Sequence, residues 1–327
     1  MPPLLLQPTW GEAAMCPVGP RSVRRRWRPG PTRPSFRVAS PGGVTATAAA
    51  RPLPERFLRT RNVCQSRGYL VAVDESTGRP ALTNPLTGEE LGQFPPLRKE
   101  FGDYVVFGMI AAVLGDPSLG PGHCRIVLYC EDHLFRTCVS GAATWDTTPW
   151  EQPEDRPVQL AVTRGRVYAL LSNGDLLLFD FMFSFHYCRI SLKETPPEAF
   201  RLEWRSRPSL LEHCGQLFVV HCLLSPSGSR PDTVRFSVHR LVRRQWVELK
   251  SLDGLALFVD VAGSALLRAR PRQWGGRENH VYISGQLWDG WKVFPFGDLI
   301  KPEEIPVENT MQAYWPTPLW TLPCSCY

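Results

Sequence analysis

From Cys64 to Pro323 the chain is written in short apolar bursts, each cut off by a turn signal, and no other feature limits its fold more. Val158–Thr163, Arg166–Ser172 and Asp175–Phe179 read as three strands separated by Arg164-Gly165 and Asn173-Gly174. Asn-Gly tolerates the positive φ angles of a two-residue hairpin turn unusually well, so both connections are expected to be tight. A chain that repeats this unit builds antiparallel sheets. The 32 prolines point the same way, because proline removes a backbone donor and breaks helix interiors. Apolar residues never recur at i, i+3, i+4 and i+7 over several turns, and Phe296–Ile300 could hold a single helical turn.

Further strand candidates lie at 68–73, 81–83, 104–114, 125–130, 134–139 and 143–147, and again at 201–204, 209–212, 215–220, 234–241, 245–249, 256–259, 280–284 and 291–294. They cluster in fours about every 40 to 45 residues, as repeat architectures do. One open sheet of that size would curl or split. A sandwich needs only about seven to nine strands. Radial repetition of four-stranded blades accommodates the number and leaves only short edges. The expected fold is therefore all-β, a β-propeller of four-stranded antiparallel blades, six of them with seven allowed.

Residues 1–55 differ from the rest and are expected to form a disordered Pro/Arg-rich leader, ahead of a propeller at 56–323 and a short end at 324–327. The net charge of +6 hides this division: residues 1–61 hold eleven arginines and two acids, so the remaining body carries −3. Such a leader also suits an organelle transit peptide, for a mitochondrion or chloroplast, although its prolines would interrupt an import helix. A misplaced start codon or a nucleic-acid-contacting arm are the other readings of it. The apolar runs are too short to span a bilayer as a helix, and Met1–Leu6 lacks the charged start of a secretory signal. With Cys130, Cys138 and Cys222 inside apolar runs, the ten cysteines read as free thiols in a reducing compartment, cytoplasm or nucleus.

Nine words stand in a fixed order: Ser66–Val71, Leu82–Gly88, Phe94–Leu97, Gly165–Ala169, Leu210–Val219, Phe236–Leu241, Gln245–Phe258, Glu278–Ile283 and Trp315–Pro323. In this order they resemble the plant F-box-associated β-propeller family of KIB type, a domain of unknown function. The resemblance runs from about Cys64 to Pro323. It implies a propeller that recognises a protein partner, as the substrate-binding half of F-box proteins does. Members often carry an F-box that docks onto a ubiquitin-ligase adaptor. The first 60 residues show no leucine-rich three-helix pattern, so that docking is not carried over to this chain.

The motifs that carry chemistry fail. Gly115-Asp-Pro-Ser-Leu-Gly120 has the glycines of a phosphate loop but Pro121 where a lysine must stand. No Gly-X-Ser-X-Gly elbow or Gly-X-Gly-X-X-Gly turn occurs. His213-Cys214 and His221-Cys222 have no Cys-X-X-Cys companion for zinc, and Cys324 and Cys326 have no obvious co-ligands. Trp246, in the alternating Gln245–Leu249, should face an inter-blade core. No catalytic, cofactor-binding or metal residue is assigned and no cofactor is expected. An alternative is a small-molecule-binding or hydrolytic propeller using the central channel.

The preferred expectation is a non-enzymatic, monomeric module that binds an unidentified protein through loops at blade ends. Candidate loops are Gly115–Gly122, Ser225–Asp232 and Arg270–Arg277. Within the last, Trp274 with Arg270, Arg272 and Arg277 forms the candidate contact set, since tryptophan and arginine dominate interface hot spots. Ordinary solvated surface is the favoured reading of the same arginines. Neither a membrane nor a nucleic acid is an expected partner.

Overall fold

The computed structural model describes residues 4–9, 35–39, 51–52, 63–74, 77–85, 87–97, 109–130, 132–152, 154–181, 185–190, 192, 208–224, 234–260, 265–274, 276–284, 292–297, 303–304 and 319–321. Among these there are strands and two short 3-10 turns, Pro117–Leu119 and Pro271–Trp274, and no α-helix.

Strands β1 (Leu4–Thr9), β2 (Ser35–Ala39) and β3 (Arg51–Pro52) belong to a sheet completed from the other end of the chain. The first blade is β4 (Val63–Ser66), β5 (Tyr69–Val73), β6 (Pro80–Thr83) and β7 (Glu90–Leu91). The second is β8 (Ile110–Gly115), β9 (Cys124–Tyr129), β10 (Leu134–Val139) and β11 (Asp146–Pro149). The third is β12 (Pro157–Thr163), β13 (Arg166–Leu171), β14 (Leu176–Asp180) and β15 (His186–Ile190). The fourth is β16 (Ser209–His213), β17 (Gln216–Leu224), β18 (Val234–Val242) and β19 (Gln245–Glu248).

The fifth blade departs from this plan. It contains β20 (Ala256–Asp260), β21 (Ala265–Arg268), β22 (His280–Ser284), β23 (Lys292–Pro295) and β24 (Glu303–Glu304), in the spatial order β21-β20-β22-β23-β24. Here β20 and β22 run parallel, whereas every other pairing among the described residues is antiparallel. Finally β25 (Leu319–Thr321) pairs with β1, joining the two ends of the chain in one sheet, and lies against β20 and β21.

The fold is thus a β-propeller of predominantly four-stranded blades: consecutive strands between Val63 and Glu304 form five, where six were expected and seven allowed, and β1, β2, β3 and β25 make a further four-stranded sheet from the two ends of the chain. The reason is the repeat length. Blades begin at Val63, Ile110, Pro157, Ser209 and Ala256, intervals of 47, 47, 52 and 47 residues, longer than the 40 to 45 read from strand clusters. Three described strands fall within residues 1–55, where a disordered leader was expected; the rest of that leader lies outside the described residues.

The second, third and fourth blades are apolar on both faces, because their alternate residues enter two different cores. In β9, Ile126 and Leu128 pack toward the first blade, while Val127 and Tyr129 pack toward the third. In β17, Phe218 and Val220 join the core shared with the fifth blade, while Leu217 and Val219 join the core shared with the third. A strand buried on both sides needs no polar alternation, which explains runs such as Ile126-Val-Leu-Tyr129.

The turns follow local chemistry. Arg67-Gly68, Arg164-Gly165 and Cys214-Gly215 each close the first hairpin of a blade with two residues at positive φ. Asn173-Gly174 does not, contrary to expectation: four residues, 172–175, connect β13 to β14, and only Gly174 is left-handed. The Asn173 side chain accepts the Asp175 amide at 2.9 Å, which lengthens the turn into an Asx type. In the first blade, Asp74–Arg79 and Asn84–Glu89 are copies of one turn. The side chains of Asp74 and Asn84 accept from Thr77 and Thr87, and their carbonyls accept the Gly78 and Gly88 amides at 2.8 Å.

Candidate functional site

In an up-and-down blade, the turn between the first and second strands and the turn between the third and fourth emerge at the same end. Arg67-Gly68, the 116–123 loop, Arg164-Gly165, Cys214-Gly215 and Arg243-Arg244 therefore share one face of the propeller. Neighbouring turns on this face touch. The Arg67 guanidinium donates to the Gly115 carbonyl at 3.1 Å, reaching from the first blade to the second. The Arg164 guanidinium lies directly over Gly215, where even a methyl group would meet its nitrogen at 2.7 Å.

Residues 270–277 open onto the same face. The innermost strand of the fifth blade, β21, ends at Arg268 next to the end of β16. Burial lowers the His213 imidazole below its usual value; the nearby Glu212 opposes this and Arg268 reinforces it.

Of the sequence-predicted contact set, Arg270 is exposed at φ 53° and its carbonyl accepts the Gln273 amide at 3.0 Å. Arg272 is exposed and pairs with Glu278 at 3.0 Å. Arg277 is exposed, and its backbone N–H donates to the Tyr282 hydroxyl at 2.8 Å. The backbone of Trp274 closes the 3-10 turn, and its side chain lies outside the described residues, as does the Ser225–Asp232 loop.

The Gly115–Gly122 loop is a built feature. Asp116 caps its 3-10 turn, accepting the Ser118 amide at 2.9 Å and the Ser118 hydroxyl at 2.6 Å, which holds its carboxyl below the usual range. The Asp116 amide donates to His123 O at 3.0 Å and the Gly122 amide to Ser140 O at 2.8 Å. A side chain at Gly115, φ 84°, would collide with the His123 carbonyl. This frame presents Leu119, 64% exposed, to solvent. The sequence marked this loop but not Leu119, whose lone apolar side chain between polar turn residues was the available signal.

The opposite face is held by ion pairs. Arg189 binds Asp175, Asp155 at 3.1 Å and Gln152 at 2.8 Å, tying the outer strand of the third blade to two connections. Arg136 pairs with Asp132 in the second blade.

The described residues gather no three metal-ligating side chains in one place. His213 and His221 diverge, since His213 ends β16 while His221 is buried within β17 against His239 of β18, their rings 6.0 Å apart. The remaining histidines are spread among the second, third and fifth blades. Burial, with a smaller contribution from Cys130, pushes the Cys64 thiol up to about 12, and burial raises Cys138 to about 11. Neither is poised as a thiolate nucleophile. Six described cysteines are free thiols. No helix among the described residues is long and apolar enough to cross a membrane.

Radial blades, inter-blade cores and loop-bearing ends define the class as a β-propeller. The chain belongs to the KIB1-4 beta-propeller family, whose model matches residues 39–312. That match begins ahead of the boundary at 55/56 expected from composition. No curated protein matches the chain. Solved structures similar to it include BBS1N in complex with ARL6DN, at 15% identity and TM-score 0.33, covering 56% of this chain and 47% of that one. Apo AztD from Citrobacter koseri is 13% identical with TM-score 0.35, covering 66% and 52%. YCF48 bound to D1 peptide is 12% identical with TM-score 0.31, covering 56% and 49%. The chain thus spans about half the length of these structures.

Proposed function

We propose that this protein is a non-enzymatic binding module whose arginine-bearing turn face recognises another protein, in the manner of the substrate-recognition half of F-box proteins. The observation that carries this reading is Leu119, 64% exposed on a loop whose backbone is fixed by its own hydrogen bonds and by contacts to a neighbouring strand. A pre-organised apolar side chain loses little entropy on docking, and a rim of polar groups excludes water around it. The contact set Trp274, Arg270, Arg272 and Arg277 belongs to the same face through its backbone position. Ligase-adaptor binding is not part of the proposal.

The test is site-specific photo-crosslinking in cells, with the crosslinker placed at position 119 and, as a control, at exposed Arg79 on the opposite end of the first blade. A defined protein adduct at 119 that is missing at 79 is the expected result. Identical adducts at both positions, or none at 119, would sink the reading. Turnover of a small molecule by the purified chain would favour the alternative of a catalytic channel.

A further inference from the structure

Nine described residues other than glycine adopt positive φ, and five of them are arginines: Arg67 at 49°, Arg164 at 49°, Arg243 at 49°, Arg244 at 71° and Arg270 at 53°. This conformation favours glycine, asparagine and aspartate, whose small or locally bonding side chains tolerate it. Nothing in turn chemistry selects arginine there. The pair Arg243-Arg244 is the sharpest case, filling both centres of a two-residue hairpin between β18 and β19 where Asn-Gly would be unstrained. Strain held in place by the surrounding structure is a pointer to function.

All five arginines lie on the face that carries Leu119. Arg164, Arg243, Arg244 and Arg270 are exposed, as is Arg166 beside them. Several acids on this face are engaged within it. Asp116 caps its own loop, Glu212 accepts the Gly215 amide at 2.6 Å, and Glu278 pairs with Arg272. Two of the turn arginines also join blades, Arg67 onto Gly115 and Arg164 over Gly215.

We propose that the left-handed turn arginines form a recognition surface for an acidic protein segment, with Arg164, Arg243, Arg244 and Arg270 as its principal contacts. This rests on the reading of the same face as the partner-binding face, and adds the chemistry of the partner. Guanidinium groups suit carboxylates because their planar forks bind two oxygens at once. Placing them on tight turns projects the charge beyond the blade ends with little backbone freedom to lose. Their spread over three blades matches an extended acidic stretch rather than a single anion.

The experiment uses the full chain and a fluorescein-labelled poly-L-glutamate peptide, read by anisotropy. Binding is expected at about 50 mM salt and to weaken steeply toward about 300 mM, as screened ion pairs do. The combined exchange Arg164→Gln, Arg243→Gln, Arg244→Gln and Arg270→Gln should weaken it at least about tenfold with an unchanged fold by circular dichroism. The paired control, Arg79→Gln with Arg156→Gln on the opposite face, should bind as the unaltered protein does. Absence of binding at low salt, or equal loss in both variants, would overturn the proposal. So would tighter binding of a poly-uridine of equal charge through the same arginines, which would make the surface one for nucleic acid. If position 119 still crosslinks a partner while the arginine variant and salt leave that adduct unchanged, the acidic-segment proposal fails and the partner-binding reading stands.

Discussion

The indole N–H of Trp246 donates to the Gly174 carbonyl at 3.0 Å, across the junction between the fourth and third blades. The ring itself is buried among Leu170, Leu176, Leu217 and Val219. One side chain therefore links an outer strand, a turn of the neighbouring blade and the core between them. Trp246→Ala should lower stability by about 3–5 kcal/mol, the usual cost of emptying a large aromatic site. Trp246→Phe keeps most of the packing and leaves the Gly174 carbonyl without its donor, so a smaller loss of about 1–2 kcal/mol is expected. Urea unfolding measures both, and a phenylalanine variant as stable as the parent would show that the hydrogen bond contributes nothing.

The hairpin at Arg243-Arg244 makes a prediction of opposite sign. Arg244→Gly relieves a left-handed arginine at the second turn centre and should raise stability by about 0.5–1 kcal/mol. Thermal unfolding reads the change. A lowered melting temperature would mean that contacts of the Arg244 side chain outweigh the backbone strain.

At Gly115 the constraint is steric as well as conformational. Gly115→Ala places a methyl group against the His123 carbonyl at φ 84°, so a loss of more than about 1 kcal/mol is expected. Because the loop orients Leu119, crosslinking from position 119 should fall in the same variant. Full crosslinking in a destabilised protein would separate the loop's stability from its presentation of the leucine.

Acid should destabilise the fourth blade. Burial, assisted by neighbouring His239, depresses the His221 imidazole from 6.5 to about 3, and burial lowers His239 as well, with Glu248 on the adjacent strand opposing it. Between pH 6.5 and about 3 the unfolded chain takes up a proton that the folded chain refuses. Stability is then complete above the unfolded value and declines as pH falls, by up to about 1.4 kcal/mol per pH unit for one histidine. Replacing His221 with leucine should flatten that decline in pH-dependent urea unfolding. An unchanged slope would place the acid sensitivity elsewhere.

Thiol reactivity should divide by burial. Cys188 and Cys214 are exposed, whereas Cys64 donates to Met109 O at 2.8 Å and its thiol is pushed up to about 12. Site-resolved alkylation of the native protein near pH 8 should label Cys188 and Cys214 at least about tenfold faster than Cys64 or Cys138. Equal rates would contradict the packing between the first and second blades.

Strand runs, the tight turn at Arg164-Gly165 and the inward position of Trp246 were legible in residues 63–297, because each depends on neighbours a few places away. The length of the blade was not. It depends on how much chain the outer strands and connections use, and the wider interval leaves five blades where strand clusters suggested six. Asn173-Gly174 misled for a related reason: the Asn173 side chain bonds the Asp175 amide, a choice the dipeptide alone does not reveal.

By itself, the amino-acid order determined that this protein is all-β and built from doubly buried strands, since runs such as Ile126-Val-Leu-Tyr129 have nowhere polar to face. It also determined where many of the turns fall, through glycines that alone accept a left-handed backbone cheaply. Which turns share a face is settled by how distant segments pack into blades. Arg67, Arg164, Arg243 and Arg270 are scattered over some two hundred positions, and the up-and-down course of successive blades brings them to one end. A charge surface of this kind is a property of the ring, because no segment of the chain carries it alone.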